Sequence, residues 1–254
     1  HPDGPLSHHV QAIWSASISP SSDSISKPLF SDGASGIFFN IENSIIHDGI
    51  SYGQGLIYTP VKHHAEFIIM SPGSRLVGFR FQPGVSVSSF ELLNELFNDL
   101  QDIQCVELHN LPTSLKALTE NLIKFSDQDS QINLLTNWLL NNVDQDNVPP
   151  RTLIQLLANL KPENDLQAIQ DMIPLSLRQL ERQFKSRVGM TPKYYQRLMR
   201  VRTAIEVIKQ NPVINLVDLA VECGFSDQAH MTREFRQLAK MTPGQYQLGK
   251  VQKG

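Results

Sequence analysis

The chain has 254 residues, 41% of them apolar, and a net charge of −3, which is ample for two ordinary domains with real hydrophobic cores. Its two cysteines, Cys105 and Cys223, have no CxxC or Cys/His ligand spacing; this argues against a disulfide framework or a zinc site and points to a reducing compartment. No apolar run reaches the length of a membrane span, and the chain opens at His1 without a signal-peptide pattern, so a soluble, cytoplasmic protein, processed or trimmed at that end, is expected.

The small net charge hides an asymmetry. Residues 163–254 carry 14 Lys and Arg against 9 Asp and Glu, whereas residues 1–162 carry 8 against 16. A basic C-terminal module joined to an acidic N-terminal one suggests a nucleic-acid partner for the former, although an excess of this size also arises by chance on solvated faces.

Residues 1–112 are punctuated like β structure. Short apolar runs (Ile37-Phe38-Phe39, Leu56-Ile57-Tyr58, Phe67-Ile68-Ile69-Met70, Leu76-Val77) alternate with Ser31-Asp32-Gly33, Asp48-Gly49, Gly53-Gln54-Gly55 and Ser71-Pro72-Gly73. Close-spaced short strands of this kind predict a β-barrel or sandwich. Phe90, Leu93, Leu96, Phe97 and Leu100 then recur at helical spacing, so a helix is expected to pack on it. A metal-dependent enzyme needs convergent His and Glu ligands. His63 and His64 are adjacent, and on a strand they would point to opposite faces, with Glu66 the only close carboxylate. These histidines, with His8, His9, His47 and His109, read as loop or surface residues, and no metal, cofactor or catalytic residue is expected. Asp32 before Gly33 reads as a turn residue, with ligand contact left open.

Residues 113–162 read as helical linker or brace. Two amphipathic helices, around Leu115–Ile123 and Ile132–Leu139, flank a polar stretch at 126–130; a loop at 141–150 ends in Pro149-Pro150, and a helical pattern follows over Thr152–Leu160. Their apolar stripes fit an interdomain brace, a dimer surface or the outer layer of either domain, and such stripes more often serve a core than a partner surface.

The organising feature lies in residues 163–254. Arg182 and Arg233, Phe184 and Phe235, Pro192 and Pro243, Tyr195 and Tyr246 are each 51 residues apart, so one structural unit occurs twice. In the first copy Asp165 caps a helix bearing Leu166, Ile169, Met172 and Ile173. Pro174 stops that helix and Ser176 caps a second, with Leu177, Leu180, Phe184 and Val188 inward and Arg178, Glu181, Arg182 and Lys185 outward. In the second copy Asn215 caps a helix, Gly224 makes the turn, and Ser226 or Asp227 caps the next. There Met231, Phe235 and Leu238 face in and Ala229, Thr232, Arg233 and Arg236 face out. This is the pattern of a helix-turn-helix whose second helix enters the DNA major groove. Between the copies, Tyr195, Leu198, Val201, Ala204, Ile205 and Ile208 predict a helix from Pro192 to about Gln210, roughly 28 Å long at about 1.5 Å per residue. Successive major-groove faces are about 34 Å apart, so such a rod can hold two reading heads on one face of a duplex.

The residues Leu180-Glu181-Arg182-Gln183-Phe184, Gly189-Met190-Thr191-Pro192, Ala220, Gly224-Phe225-Ser226-Asp227, Arg233-Glu234-Phe235, Thr242-Pro243 and Tyr246 resemble the AraC/XylS family of bacterial transcription regulators. The resemblance is strongest from Leu166 to Tyr246, about a third of the chain. More narrowly, Leu6-Ser7-His8-His9-Val10, Ile13-Trp14, Ser31-Asp32-Gly33 and Gly78-Phe79-Arg80-Phe81-Gln82-Pro83-Gly84 look like the cupin-like sensing or dimerising domain of one branch of that family, which has Pro-Asp-Gly where this chain has Ser31-Asp32-Gly33. Gln170 and Pro174 depart from the family's usual small residue and Gly.

The resemblance implies an α+β protein: a cupin-like N-terminal domain with packed helices, and an all-α C-terminal domain of two helix-turn-helix motifs on a long linker helix. It implies base contacts from Arg178, Glu181, Arg182, Gln228, Ala229, Thr232 and Arg233, and phosphate contacts from Ser176, Lys185, Lys193, Arg197 and Arg236. Arg pairs with guanine, Glu accepts from cytosine and Gln reads adenine, while phosphate partners position without specifying. Against this, Glu181 can pair with Lys185 on its own helix, and Arg182 with a neighbouring carboxylate. The implied partners are double-stranded DNA, a small-molecule effector, RNA polymerase and a second copy of the chain; no membrane is implied. The implied role is a non-enzymatic transcription regulator, of the activator kind. The alternatives are regulation by a partner protein or by abundance, or a cupin-type enzyme fused to a DNA-binding module. Alkyl transfer would need a thiolate with a cysteine partner, and Cys105 has none in its half.

Overall fold

The computed structural model describes residues 2, 4–97, 102–161, 164, 169, 173 and 175–251. The chain divides into two compact units, His1–Leu29 with Ala34–Val61 and Glu66–Pro149, and Phe30–Gly33 with Lys62–Ala65 and Pro150–Gly254. The stretch expected as a separate brace is thus split: its first two helices belong to the first unit and its third to the second.

The first unit holds two antiparallel sheets. One has the order β1 (Val10–Ser17), β8 (Arg75–Phe81), β3 (Gly36–Glu42), β6 (Gly55–Thr59), β9 (Gln104–Glu107); the other runs β2 (Ile25–Leu29), β7 (Glu66–Met70), β4 (Ile45–His47), β5 (Ile50–Tyr52). No strand bridges the two among the described residues, so of the barrel and the sandwich that the sequence left open, the strands form two open, packed sheets. Alternation along a strand reports which face is buried but not whether a sheet closes, hence the ambiguity in sequence. The β4–β5 hairpin turns at Asp48 and Gly49, both with positive φ (48° and 86°), a geometry that matches the strands' twist.

The larger sheet is buried on both faces. Phe38, Ile57 and Leu76 meet Ile45, Ile68 and Met70 of the smaller sheet. Ile37, Phe39, Leu56, Val77, Phe79 and Phe81 meet helices α1 (Glu91–Leu96), α2 (Thr113–Lys124) and α3 (Gln128–Asn142) through Leu93, Leu115, Leu118, Leu122, Leu135 and Leu139. Two-sided burial explains why β3 reads as a continuous apolar run. At Gly78 the strands come so close that a Cβ would lie 2.6 Å from the Ile37 carbonyl oxygen and 2.5 Å from the Phe38 Cβ. The carbonyls left unpaired at the end of α2 are met by side chains. The Arg75 guanidinium donates to Ile123, Leu122 and Phe125 and pairs with Glu42 at 3.2 Å. The Gln131 amide donates to Leu122 and Phe125 while its oxygen accepts from Ser15.

Two histidines depart from the surface reading. His9 and His47 are each 1% exposed, and His47 Nε2 lies 3.0 Å from Glu66 Oε2. Among the described residues, no three His, Cys, Asp or Glu side chains are placed to hold a metal ion, and no helix is long and apolar enough to cross a membrane.

The second unit is helical: α4 (Arg151–Asn159), α5 (Leu177–Val188), α6 (Pro192–Gln210), α7 (Leu216–Glu222), α8 (Gln228–Leu238) and α9 (Pro243–Val251). Asp165, Leu166, Gln170, Met172 and Pro174, which carried the expected first helix and its turn, lie outside the described residues; Ile169 and Ile173 are buried. Asp32, left open as a turn or ligand residue, is 5% exposed and reaches Arg202 of α6 at 3.4 Å. Gly33 (φ 74°) lies against Tyr195, whose ring would sit 2.7 Å from any added Cβ.

Candidate nucleic-acid interface

The interface is built on α5 and α8, both held by α6. Thr191 caps α6, accepting from the Tyr194 amide, and Pro192 fills its first turn, where a missing N–H costs nothing. Its apolar face, Tyr195, Leu198, Val201, Ala204, Ile205 and Ile208, is buried. The expected linker helix is therefore present over its full 19 residues.

Helix α5 opens on a capping box. The Ser176 hydroxyl accepts from the Gln179 amide while Gln179 Oε1 accepts from the Ser176 amide, and Gly189 (φ 78°) closes the helix in the left-handed conformation. This arrangement satisfies donors that a helix start leaves orphaned and uses the one residue that turns left without a Cβ penalty. Leu180, Phe184 and Val188 are buried, and the Phe184 ring meets Tyr195 edge-on at 5.5 Å. Leu177, expected in that stripe, is 38% exposed: the first residue of a helix has not yet reached the core. Arg178, Glu181, Arg182 and Lys185 are all exposed, so the structure brings these expected contacts onto one solvent-facing surface. The Ser176 hydroxyl, expected on a phosphate, donates to Gln179 Oε1 at 2.9 Å.

Helix α8 repeats the plan. Asn215 caps α7, accepting from the Val217 amide at 2.7 Å, and Gly224 (φ 73°) makes the turn. Asp227 rather than Ser226 caps α8, accepting from the His230 amide at 2.6 Å. That bond, then the nearby Arg233 charge, holds the Asp227 carboxyl below its usual range. The Ser226 hydroxyl is instead 3.0 Å from His230 Nδ1. Met231, Phe235 and Leu238 are buried. Gln228, Ala229, Arg233 and Arg236 are exposed, while Thr232 is half-buried with its hydroxyl donating to the Gln228 carbonyl at 2.8 Å.

Of the other two expected phosphate contacts, Lys193 is exposed. Arg197 is engaged within the unit. Its Nε and one terminal nitrogen bind the two oxygens of Glu234 at 2.9 and 3.0 Å, and it also donates to Gln237 at 2.6 Å. Sequence reasoning missed this fork, because its partners are 37 residues apart on different helices.

Among the described residues one complete capped helix pair, α7 and α8, and a second capped helix, α5, each reading helix with a buried phenylalanine and an exposed polar face, flank one long helix, α6, the arrangement of a helix-turn-helix domain. Residues 171–248 match the model of a helix-turn-helix domain, and residues 1–102 match that of a domain of unknown function (DUF6597). The HTH-type transcriptional activator RhaS of Escherichia coli O1:K1 / APEC is 29% identical over 134 residues, covering 53% of this chain and 41% of RhaS. RhaS of Escherichia coli O9:H4 (strain HS) matches to the same extent. The matched stretch thus spans less than half the length of these curated relatives. A structure of ToxT from Vibrio cholerae aligns over 93% of this chain and 97% of its own, at 12% identity and a TM-score of 0.48. Residues 171–248 thus form a helix-turn-helix domain, of the kind that the resemblance to the AraC/XylS regulators implied.

Proposed function

We propose that this protein is a sequence-specific DNA-binding transcription regulator whose heads, α5 and α8, enter adjacent major grooves of one duplex. The observation that carries the reading is the matched pair of outward faces, Arg178, Glu181, Arg182 and Lys185 on α5 and Ala229, Thr232, Arg233 and Arg236 on α8. Arg182 and Arg233 stand at equivalent positions, exposed and free to fork onto guanine O6 and N7. Lys185, Lys193 and Arg236 are the phosphate partners. The first unit is the sensing or dimerising module, modulated by a small molecule. The regulator acts in the cytoplasm and contacts RNA polymerase; an activating role is supported by the name of the relative RhaS, an HTH-type transcriptional activator. No enzymatic step is assigned to it.

Selection of binding sites from a random duplex library, followed by band-shift titration, tests the reading. Arg182→Ala and Arg233→Ala are each expected to relax specificity at one base, at a cost of about 1–3 kcal/mol, and binding should weaken steeply with salt. Unchanged specificity in both variants rejects the contact assignment.

A further inference from the structure

Arg197 and Glu234 make a built contact. Glu234 is 8% exposed, and a carboxylate that deep is strongly disfavoured unless its charge is matched and its oxygens are hydrogen-bonded. Arg197 supplies both, meeting the two oxygens with two different nitrogens at 2.9 and 3.0 Å. The guanidinium is fixed from other sides as well: it donates to Gln237 at 2.6 Å and lies 5.2 Å from the centre of the Tyr194 ring. Glu234 in turn has His230 Nε2 at 3.9 Å, and His230 Nδ1 is 3.0 Å from the Ser226 hydroxyl next to the cap of α8. The chain of contacts therefore runs from the second turn of α6 to the start of α8. One partner is on α6, which also holds α5; the others are on α8, the second reading helix. Glu234 directly follows Arg233, so whatever fixes its backbone fixes the base of the Arg233 side chain.

We infer that Arg197 is a positioning residue rather than a phosphate contact: through its two-nitrogen grip on Glu234 it sets the rotation of α8 about its own axis, and so the aim of Arg233. The inference rests on the reading of α8 as a DNA-reading helix. It differs from the phosphate reading in what it asks of the side chain. A phosphate contact needs a positive charge, which Lys supplies; a bidentate grip needs the planar fork, which Lys lacks.

The experiment uses the full chain and the duplex that wild type selects from a random library, with a scrambled duplex of equal composition as reference. The measured quantities are the ratio of affinities for the two duplexes and the slope of log K against log KCl concentration. Losing one phosphate contact reduces the slope by about 0.9. For Arg197→Lys and Arg197→Gln the expected result is an unchanged slope and a roughly tenfold fall in the ratio, the scale of one misread base pair, lost at bases selected by the second head. Glu234→Gln gives the sharpest contrast. If Arg197 served phosphate, removing a neighbouring negative charge would free it and tighten binding to both duplexes. The positioning role instead predicts the loss of discrimination seen with Arg197→Gln, because one oxygen of the grip becomes a donor. A far-ultraviolet circular dichroism spectrum and melt on each variant separates loss of aim from loss of fold, and Arg197→Lys, the mildest change, provides the comparison if Arg197→Gln unfolds. The inference is overturned if Arg197→Lys retains full discrimination, if the slope of Arg197→Gln falls by about one unit, or if Glu234→Gln binds more tightly with its discrimination intact. A wild-type chain that enriches no sequence would overturn the DNA-reading assignment itself.

Discussion

Gly224 offers a test of the second head in which the cost comes almost entirely from one backbone angle. It sits between α7 and α8 with φ at 73°, a left-handed conformation that costs an L-residue about 1–2 kcal/mol. Space is not the constraint: an added Cβ would find its nearest neighbour, Arg200 Nε, 3.9 Å away, an ordinary van der Waals contact. Gly224→Ala should therefore destabilise by about 1–2 kcal/mol, and with a urea dependence of about 1–3 kcal/mol per molar the midpoint should fall by roughly 0.3–2 M. Asn tolerates the left-handed region better than Ala, so Gly224→Asn should lose roughly half as much. Gly78→Ala has the opposite cause, with an unexceptional angle but a Cβ 2.6 Å from the Ile37 carbonyl oxygen, and should cost about 1–3 kcal/mol from overpacking; Asn there should be worse than Ala. Urea titrations followed by circular dichroism give the order at each site. If Asn is worse than Ala at Gly224, or Ala there matches wild type, the left-handed turn is not what the glycine provides.

Phe184 and Phe235 are both fully buried, and truncating either to Ala should cost about 3–5 kcal/mol, a large share of a domain's total stability. Leu177→Ala, at an exposed position, should shift the same melt by less than about 1 kcal/mol. Arg75→Ala removes the donor to the Ile123 carbonyl at the end of α2, while Gln131 still serves Leu122 and Phe125, at about 1–3 kcal/mol, read in the fluorescence of Trp138 on neighbouring α3. Burial pushes the Cys223 thiol up to about 11 and the Tyr195 hydroxyl up to about 12. Below about pH 8 both states largely keep these protons, an unfolded thiol titrating at about 8.5. At higher pH the unfolded chain releases them first, so the melting temperature should decline from about pH 8 upwards, and a rise over pH 9–11 would reject that burial. At pH 8, where Cys223 remains a thiol, it should react with a disulfide reagent much more slowly in the native protein than in urea.

What the sequence made legible is local or periodic. The fixed offset of 51 residues betrayed the doubled unit. The caps at Ser176, Asn215 and Asp227 and the turn at Gly224 follow from residue types whose backbone preferences act within a turn of chain. The stripe along α6 follows from a 3.6-residue period. What stayed hidden depends on register or on contacts between elements. His47 pairs across the sheet with Ile68 of β7, which places Glu66, two residues along that strand, on the same face as a diagonal neighbour. Only after the strands are aligned does an apparent loop histidine become a buried partner. Helices α2 and α3 had stripes that fitted a core or a brace, and only the position of the larger sheet decided for the core. Arg197 carried a charge in the right region for a phosphate, and nothing in its neighbours along the chain pointed to Glu234.

The two heads distribute their chemistry differently, and this bears on what each contributes to a complex. On α5 the outward side chains are ionisable and exposed, and the cap is a neutral Ser–Gln box. That face has three long side chains, Arg178, Glu181 and Arg182, able to meet base edges. On α8 Ala229 offers only a methyl group, and the Thr232 hydroxyl already donates to the Gln228 carbonyl, so in the proposed DNA-reading role Gln228 and Arg233 would be the strong readers. With fewer readers, each must be aimed more accurately, because a bidentate contact is lost when the fork rotates away from its two acceptors. The half-buried Arg197–Glu234 grip ties α6 to α8, where that accuracy is needed. On this proposal the chain pairs a chemically rich head with a sparser one whose orientation is set by the Arg197–Glu234 grip.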